Sequence, residues 1–269
     1  MTSNPTFVIF SGTLNTSKHG LSMKYAENFE ESRSSVPRKR GLHRYVVSDL
    51  ASQILSGEIS PGTKLSTEHE LCEHFDVSRT VVRDALRVLA EKGLIEARPK
   101  SGTLVTTIDH WNFLDPELIV WAQDAGNRTG FFEVLLEARN TIEPQIAALA
   151  ALKARPEDIS RMEAAYEGMV AAYEQDKPDT ESFTNSDIEF HLAILEATHN
   201  IILKQFGALI MAALRASFDL ALESDSISEK SLRHHGNILE AIKSGDSNRA
   251  SEGIDTVANI LLTQLQKKQ

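Results

Sequence analysis

Residues 56–105 read SGEISPGTKLSTEHELCEHFDVSRTVVRDALRVLAEKGLIEARPKSGTLV. Pro61-Gly62 marks a turn. Thr67 followed three residues later by Glu70 is a capping box, and Leu71 and Phe75 supply the apolar face of the short helix it opens. Asp76-Val77 reads as a tight turn, and Ser78 can cap a second helix on which Val82, Ala85, Leu86 and Leu89 share one side. Gly93 ends that helix, and LIEARPKSGTLVTT reads as a hairpin about Lys100-Ser101-Gly102. Upstream, Leu42, Val46, Leu50 and Ile54 recur at helical spacing before Gly57. Helix, short helix, turn, helix, hairpin is the plan of a winged helix-turn-helix.

That plan assigns roles to particular side chains. Arg79, Thr80 and Arg83 lie opposite the apolar stripe, where they can enter a major groove and reach guanine edges or phosphates. Ser78, Thr67 and the amides of Ser101 and Gly102 are placed to hold phosphate oxygens. Surface arginines alone would mean little. The caps, turn and hairpin in this order favour DNA.

The chain has 269 residues, 41% hydrophobic and 25% charged, which excludes a wholly disordered chain and suggests about two domains. No apolar run approaches the ~20 residues of a bilayer span. The start, MTSNPTFVIFSGTL, lacks the pattern of a secretory signal, and Cys72 is the single cysteine. A cytoplasmic location is expected. The net charge is −10. Residues 37–107 hold 11 Lys+Arg against 9 Asp+Glu, whereas 108–269 hold 14 against 26. The split suggests that only the first of these segments meets a polyanion, although on charge alone a chance fluctuation is the simpler reading.

Residues 1–36 read as a tail with a short strand at Phe7–Phe10, 37–108 as the DNA-binding domain, 109–118 as a linker and 119–269 as a helical domain. In that last domain Phe131–Lys153, Pro156–Glu174, Thr180–Thr198, Ile201–Glu223, Glu229–Lys243 and Ser247–Gln266 carry helical periodicity, and Pro144 should kink or interrupt the first of them. The fold class is mainly α, a winged helix-turn-helix followed by an antiparallel bundle of six to seven helices.

Three polar features stand out in the bundle. Asp187 and His191 are four residues apart on one helix face, beside apolar Ile188, Ile194 and Leu195. His234-His235 lies on another helix. A carboxylate and imidazoles converging in a bundle suit Zn²⁺, Ni²⁺ or Mn²⁺. Arg139, among Leu135, Leu136 and Ile142, needs an anion, either Glu143 or a ligand. On spacing alone, a surface ion pair with an unrelated histidine and an internal Arg139–Glu143 bridge are the simpler readings.

The stretch from about Leu42 to Val105 closely resembles the DNA-binding domain of the GntR family of bacterial transcription regulators. The resemblance implies that Ser78, Arg79, Thr80, Arg83 and the wing glycine Gly102 touch DNA. Two positions depart from the family pattern. Ser66 replaces the usual proline, and His69 stands where arginine is frequent, so a contact from His69 would be weaker and pH-dependent.

EARNTIEP, FTNSDIEFHLAILEATHN and HHGNILEAIKSGD resemble the ligand-sensing FCD domain of the FadR-like branch, over about residues 111–265. The resemblance implies a divalent metal held by Asp187, His191 and His235, with a small carboxylate effector bound by the metal and Arg139; Arg215 is a further candidate for the effector. The family's fourth histidine falls at Val257, leaving three protein ligands. WNFLDPELIVWAQD and that missing histidine resemble the galactonate-operon repressor subgroup, which implies sugar acids as effectors. The expected protein is a homodimeric repressor that binds a palindromic operator and no membrane, and is released by its effector. The alternative is a helical metalloenzyme, since three ligands and an open position also describe catalytic zinc. No HExxH, nucleophile elbow or glycine-rich phosphate loop supports it.

Overall fold

The computed structural model describes residues 38–125, 131–221 and 228–266. The expected strand at Phe7–Phe10 lies outside them. The described chain is mostly helical, with one small sheet.

The amino-terminal elements are α1 (Arg38–Leu55), α2 (Glu68–Phe75), α3 (Arg79–Glu91), β1 (Ile95–Arg98) and β2 (Gly102–Val105). α1 begins at Arg38, four residues before its apolar periodicity does. The α2–α3 turn hinges on Asp76, in the left-handed region at φ 51°, whose N–H donates to the Cys72 carbonyl. β1 and β2 pair antiparallel, Ile95 opposite Val105 and Arg98 opposite Gly102. The sequence reading missed a further pairing. Residues 62–65 lie along β2, with Leu65 N–H donating to Thr103 O and Val105 N–H to Thr63 O, both at 2.9 Å. Lys and Thr beside Pro61-Gly62 carry no apolar alternation, so nothing marked this segment as a strand.

A 3₁₀ turn (Ile108–His110) leads to α4 (Pro116–Asp124), capped by the Asp115 carboxylate, which accepts from Glu117 N–H at 3.0 Å and Leu118 N–H at 3.2 Å. Then come α5 (Phe131–Lys153), α6 (Pro156–Tyr173), α7 (Thr180–Ala197), a 3₁₀ turn (Leu203–Phe206), α8 (Gly207–Ala221), α9 (Glu229–Lys243) and α10 (Ser247–Gln266). No strand follows β2 among the described residues. No described helix is long and apolar enough to cross a membrane.

Two expectations are corrected. α5 runs through Pro144 without interruption, with the proline buried. Only the bond that residue 144 would have donated one turn back is lost, and burial among neighbouring helices outweighs it. The helix expected from Ile201 starts at Gly207, because Asn200 Oδ1 accepts from the amides of Ile202 and Leu203 and sets a tighter turn first.

One apolar cluster unites the winged module, α4, the start of α5 and part of α8, from Val46 and Leu89 through Trp111 and Leu118 to Leu135 and Ala212. A second fills the bundle around Phe183, Phe190, Met162 and Ile238. Segment 109–118 is therefore folded: Trp111 is buried and its indole N–H donates to Thr106 Oγ1 at 3.1 Å.

Candidate functional site

The structure presents two candidate surfaces, one exposed and one buried. On the exposed one, Thr67, His69, Ser78, Arg79, Thr80, Arg83, Ser101 and Gly102 are all solvent-exposed. Local chemistry fixes most of them. The Thr67 N–H donates to Glu70 Oε2 at 2.7 Å, the Thr67 hydroxyl donates to the same oxygen at 2.9 Å, and the Glu70 N–H returns to Thr67 Oγ1. These bonds hold the Glu70 carboxyl below the usual carboxylate range. Ser78 Oγ accepts from Val81 N–H, so both hydroxyls already serve their own helices. Val82, Ala85 and Leu89 bury the inner side of α3, which turns Arg79, Thr80 and Arg83 outward.

Two arrangements here were not evident from spacing. Arg83 Nε lies 2.8 Å from Glu68 Oε2 on α2, which orients the guanidinium across the α2–α3 angle while most of it stays exposed. At the hairpin, Gly102 has φ +89° and a Cβ there would stand 2.7 Å from Lys64 Cε. The Lys64 stem occupies the place of a side chain at the wing tip. His69 reaches Glu73 at 3.6 Å, an exposed and weak pair.

The buried surface is built from α5, α7 and α9. Asp187, His191 and His235 converge, with one ligating atom from each within 4.8 Å of the others. Asp187 Oδ1 lies 2.7 Å from His235 Nε2 and 3.9 Å from His191 Nε2. The far side of each ring is engaged: His191 Nδ1 is 2.9 Å from Glu143 Oε1, and His235 Nδ1 is 2.9 Å from the Ser231 carbonyl. A carbonyl only accepts, so His235 Nδ1 carries a proton in either charge state, and in the neutral ring the Nε2 lone pair faces Asp187. Neither Nε2 makes a hydrogen bond, although both are buried. Two oriented imidazole lone pairs and a carboxylate oxygen facing one point suit a divalent metal, and an oriented Nδ1–H is the usual support for such a ligand. Phe190 stands edge-on to both rings.

Arg139 is 1% exposed. Its Nε donates to Glu143 Oε2 at 2.6 Å, so the internal salt bridge exists. Both terminal nitrogens, Nη1 and Nη2, are nevertheless buried without a hydrogen-bond partner. Glu143 thus serves Arg139 with one oxygen and His191 with the other. Burial opposes its ionisation, but the Arg139 and His191 charges and hydrogen bonds prevail and hold its pKa down to about 2. For Asp187 burial again opposes ionisation, and the nearby charges of His235, His191 and Arg139 outweigh it, lowering the pKa. For His235 burial disfavours the charged form, yet Asp187 and the Ser231 carbonyl raise the pKa overall.

The bridging role of Glu143 went unread. The i,i+4 spacing to Arg139 was visible, but its second oxygen meets a helix about fifty residues away. Arg215, on α8, is half-buried and donates to Asn185 Oδ1 at 3.5 Å, two residues before Asp187. Position 257 falls on α10. An open groove of about 390 Å³ lined by Arg161, Asn185, Ser186 and Glu189 lies on the opposite side of α7 from Asp187 and His191, and is separate from the buried cluster.

A winged helix-turn-helix built onto a helical body with a buried ligand-type cluster defines a DNA-binding transcription regulator. Residues 42–105 match the family of bacterial regulatory proteins called gntR, and 134–257 match the FCD domain. The chain is 32% identical over 213 residues to the galactonate operon transcriptional repressor of Escherichia coli, covering 79% of this chain and 91% of that protein. It is 40% identical over 152 residues to the Uxu operon transcriptional regulator of the same organism, covering 56% of each. A solved structure of Lar, described as controlling expression of the Listeria monocytogenes agr system, shares the fold at a TM-score of 0.58 and 18% identity, over 88% of this chain and all of that one. This chain belongs to the GntR family, in the FadR-like branch that carries an FCD domain. Its named relatives are transcription regulators, and the metalloenzyme alternative is set aside.

Proposed function

We propose that this regulator represses an operon for the breakdown of a sugar acid or similar small carboxylate, and leaves its operator when that acid binds in the bundle. The carrying observation is Arg139, a fully buried guanidinium whose two terminal nitrogens lack partners beside three convergent ligand groups. A buried cation with unmet donors is matched by a carboxylate, which guanidinium binds in a bidentate fashion. Asp187, His191 and His235 would hold the divalent ion, with Glu143 and the Ser231 carbonyl keeping the two rings turned inward. When bound, that ion supplies a fixed positive charge for effector oxygens. Arg215 would complete the acid's surroundings. The likeness to the galactonate operon repressor supports a polyhydroxy acid over a plain fatty acid.

Arg79 and Arg83 would read base edges, with Thr80 beside them and Thr67, Ser78, Ser101 and Gly102 at the backbone. His69 would add a weaker contact. Two copies would meet a palindrome, since a two-fold dimer mirrors a two-fold site. An effector acts only if it favours the DNA-free arrangement over the bound one. The test is binding of the metal-analysed protein to duplex from upstream of its own gene, titrated with galactonate, other sugar acids and unsubstituted fatty acids. Weakened binding with a sugar acid alone is expected. Equal behaviour with every acid would overturn the reading.

A further inference from the structure

The helix that faces DNA ends in a buried cation. Lys92, the C-cap of α3, is the only buried lysine among the described residues. Its Nζ lies 2.7 Å from Asp115 Oδ1, 2.8 Å from Glu117 Oε2 and 5.0 Å from the centre of the Trp121 ring. All three partners belong to α4 or its cap. The backbone closes the same junction, with Asn112 N–H donating to the Lys92 carbonyl at 2.9 Å and Thr106 Oγ1 to the Gly93 carbonyl. A Cβ at Gly93 would fall 1.9 Å from the His110 carbonyl oxygen.

The other side of α4 rests on the bundle. Leu118, Ile119 and Ala122 share an apolar cluster with Ala208, Leu209 and Ala212 of α8. Gln123 Nε2 donates to the Ala212 carbonyl at 2.7 Å. Three residues beyond Ala212 on the same helix is Arg215. A continuous set of contacts therefore runs from α8 through α4 and Lys92 to the end of α3. Buried ion pairs seldom raise stability over an apolar replacement, but they fix one arrangement against others. An apolar contact at Lys92 would let α3 slide over α4, whereas an ammonium between two carboxylates does not.

We propose that Lys92 is a positioning residue that locks α3 to α4, so that a displacement of α8 is passed to Arg79 and Arg83 as movement of the whole winged module. The link to an effector rests on the function proposed above; the mechanical link does not. Linkage is reciprocal, so DNA bound at α3 must be felt at α8. The experiment is hydrogen exchange on the full chain, with and without a duplex selected from random sequence by the wild-type protein. The wild type should slow exchange in 79–91, 116–124 and 207–216 on binding. Lys92→Met keeps an unbranched stem and strands neither carboxylate, because Asp115 still accepts two amides and Glu117 is half-exposed. It should bind the duplex and lose the response in 207–216 only. Glu117→Gln, a milder change, should keep the melting temperature and show a reduced response there.

Three results would overturn the proposal: no wild-type response in 207–216, a full response in Lys92→Met, or loss of DNA binding in Lys92→Met while Glu117→Gln matches wild type. Sugar acids that fail to release DNA would refute the effector reading and leave this readout standing.

Discussion

The exposed and buried surfaces use the same residue types to opposite ends. On α3 the arginines stand in water, where a pair such as Arg83–Glu68 contributes about 0–1 kcal/mol and mainly sets direction. In the bundle Arg139, Glu143, Asp187, His191 and His235 are all buried, and each charge depends on its neighbours. The difference teaches where function and stability can be separated. Changes at the exposed surface should alter DNA binding and spare the fold, whereas changes in the bundle should touch effector response and stability together.

The sharpest break of that contrast lies at Glu143. Glu143→Ala strands Arg139 and His191 and should lower stability by about 3–5 kcal/mol; a melting temperature within a degree or two of wild type would show that water reaches the cluster. The pH dependence has a definite sign. Its folded pKa is lowered from 4.5 to about 2, so its contribution is complete above 4.5 and disappears as pH falls toward 2. Acid unfolding of the Gln variant should accordingly be flatter across that window than wild type.

His191→Ala should come next. Metal content by elemental analysis and the response to sugar acids should both drop, with DNA affinity retained. Full occupancy would remove His191 from the ligand set. At the exposed surface, Arg79→Ala should weaken operator binding by about 1–3 kcal/mol and relax sequence preference, with no change in melting. Unaltered preference would show that Arg79 meets phosphate only. The smallest effect is expected at Lys64, beside the wing glycine. Lys64→Met should reduce the slope of log affinity against log salt by about one and leave sequence preference intact; an unchanged slope would place the ammonium away from the duplex.

Local grammar made the exposed surface of the winged module legible. The capping box at Thr67–Glu70, the Ser78 cap and the glycines at 93 and 102 act within a few residues, and the structure repeats them. The bundle helices were legible for the same reason. Asp187 and His191 were readable as a pair, but nothing in the spacing of either fixes where His235 arrives. That position depends on how α9 packs against α7, and here resemblance to a family supplied what periodicity could not. The Glu143–His191 and Lys92–Asp115 contacts bridge 48 and 23 residues. Each joins charged side chains that look, in the sequence, like any solvated pair. The expected interruption at Pro144 is absent because a local rule met a long helix with enough neighbours to absorb one missing bond.

The contact of Gly93 with the His110 carbonyl bears on how this regulator can be recombined. A chimeric sensor made by cutting after residue 105 would strip the end of α3 of Trp111, the 3₁₀ turn and the Asp115–Glu117 clasp, and would graft a frayed reading head onto its new body. A cut after residue 125 transfers all of them together and leaves the seam at a helix-on-helix surface, where side-chain volumes can be matched.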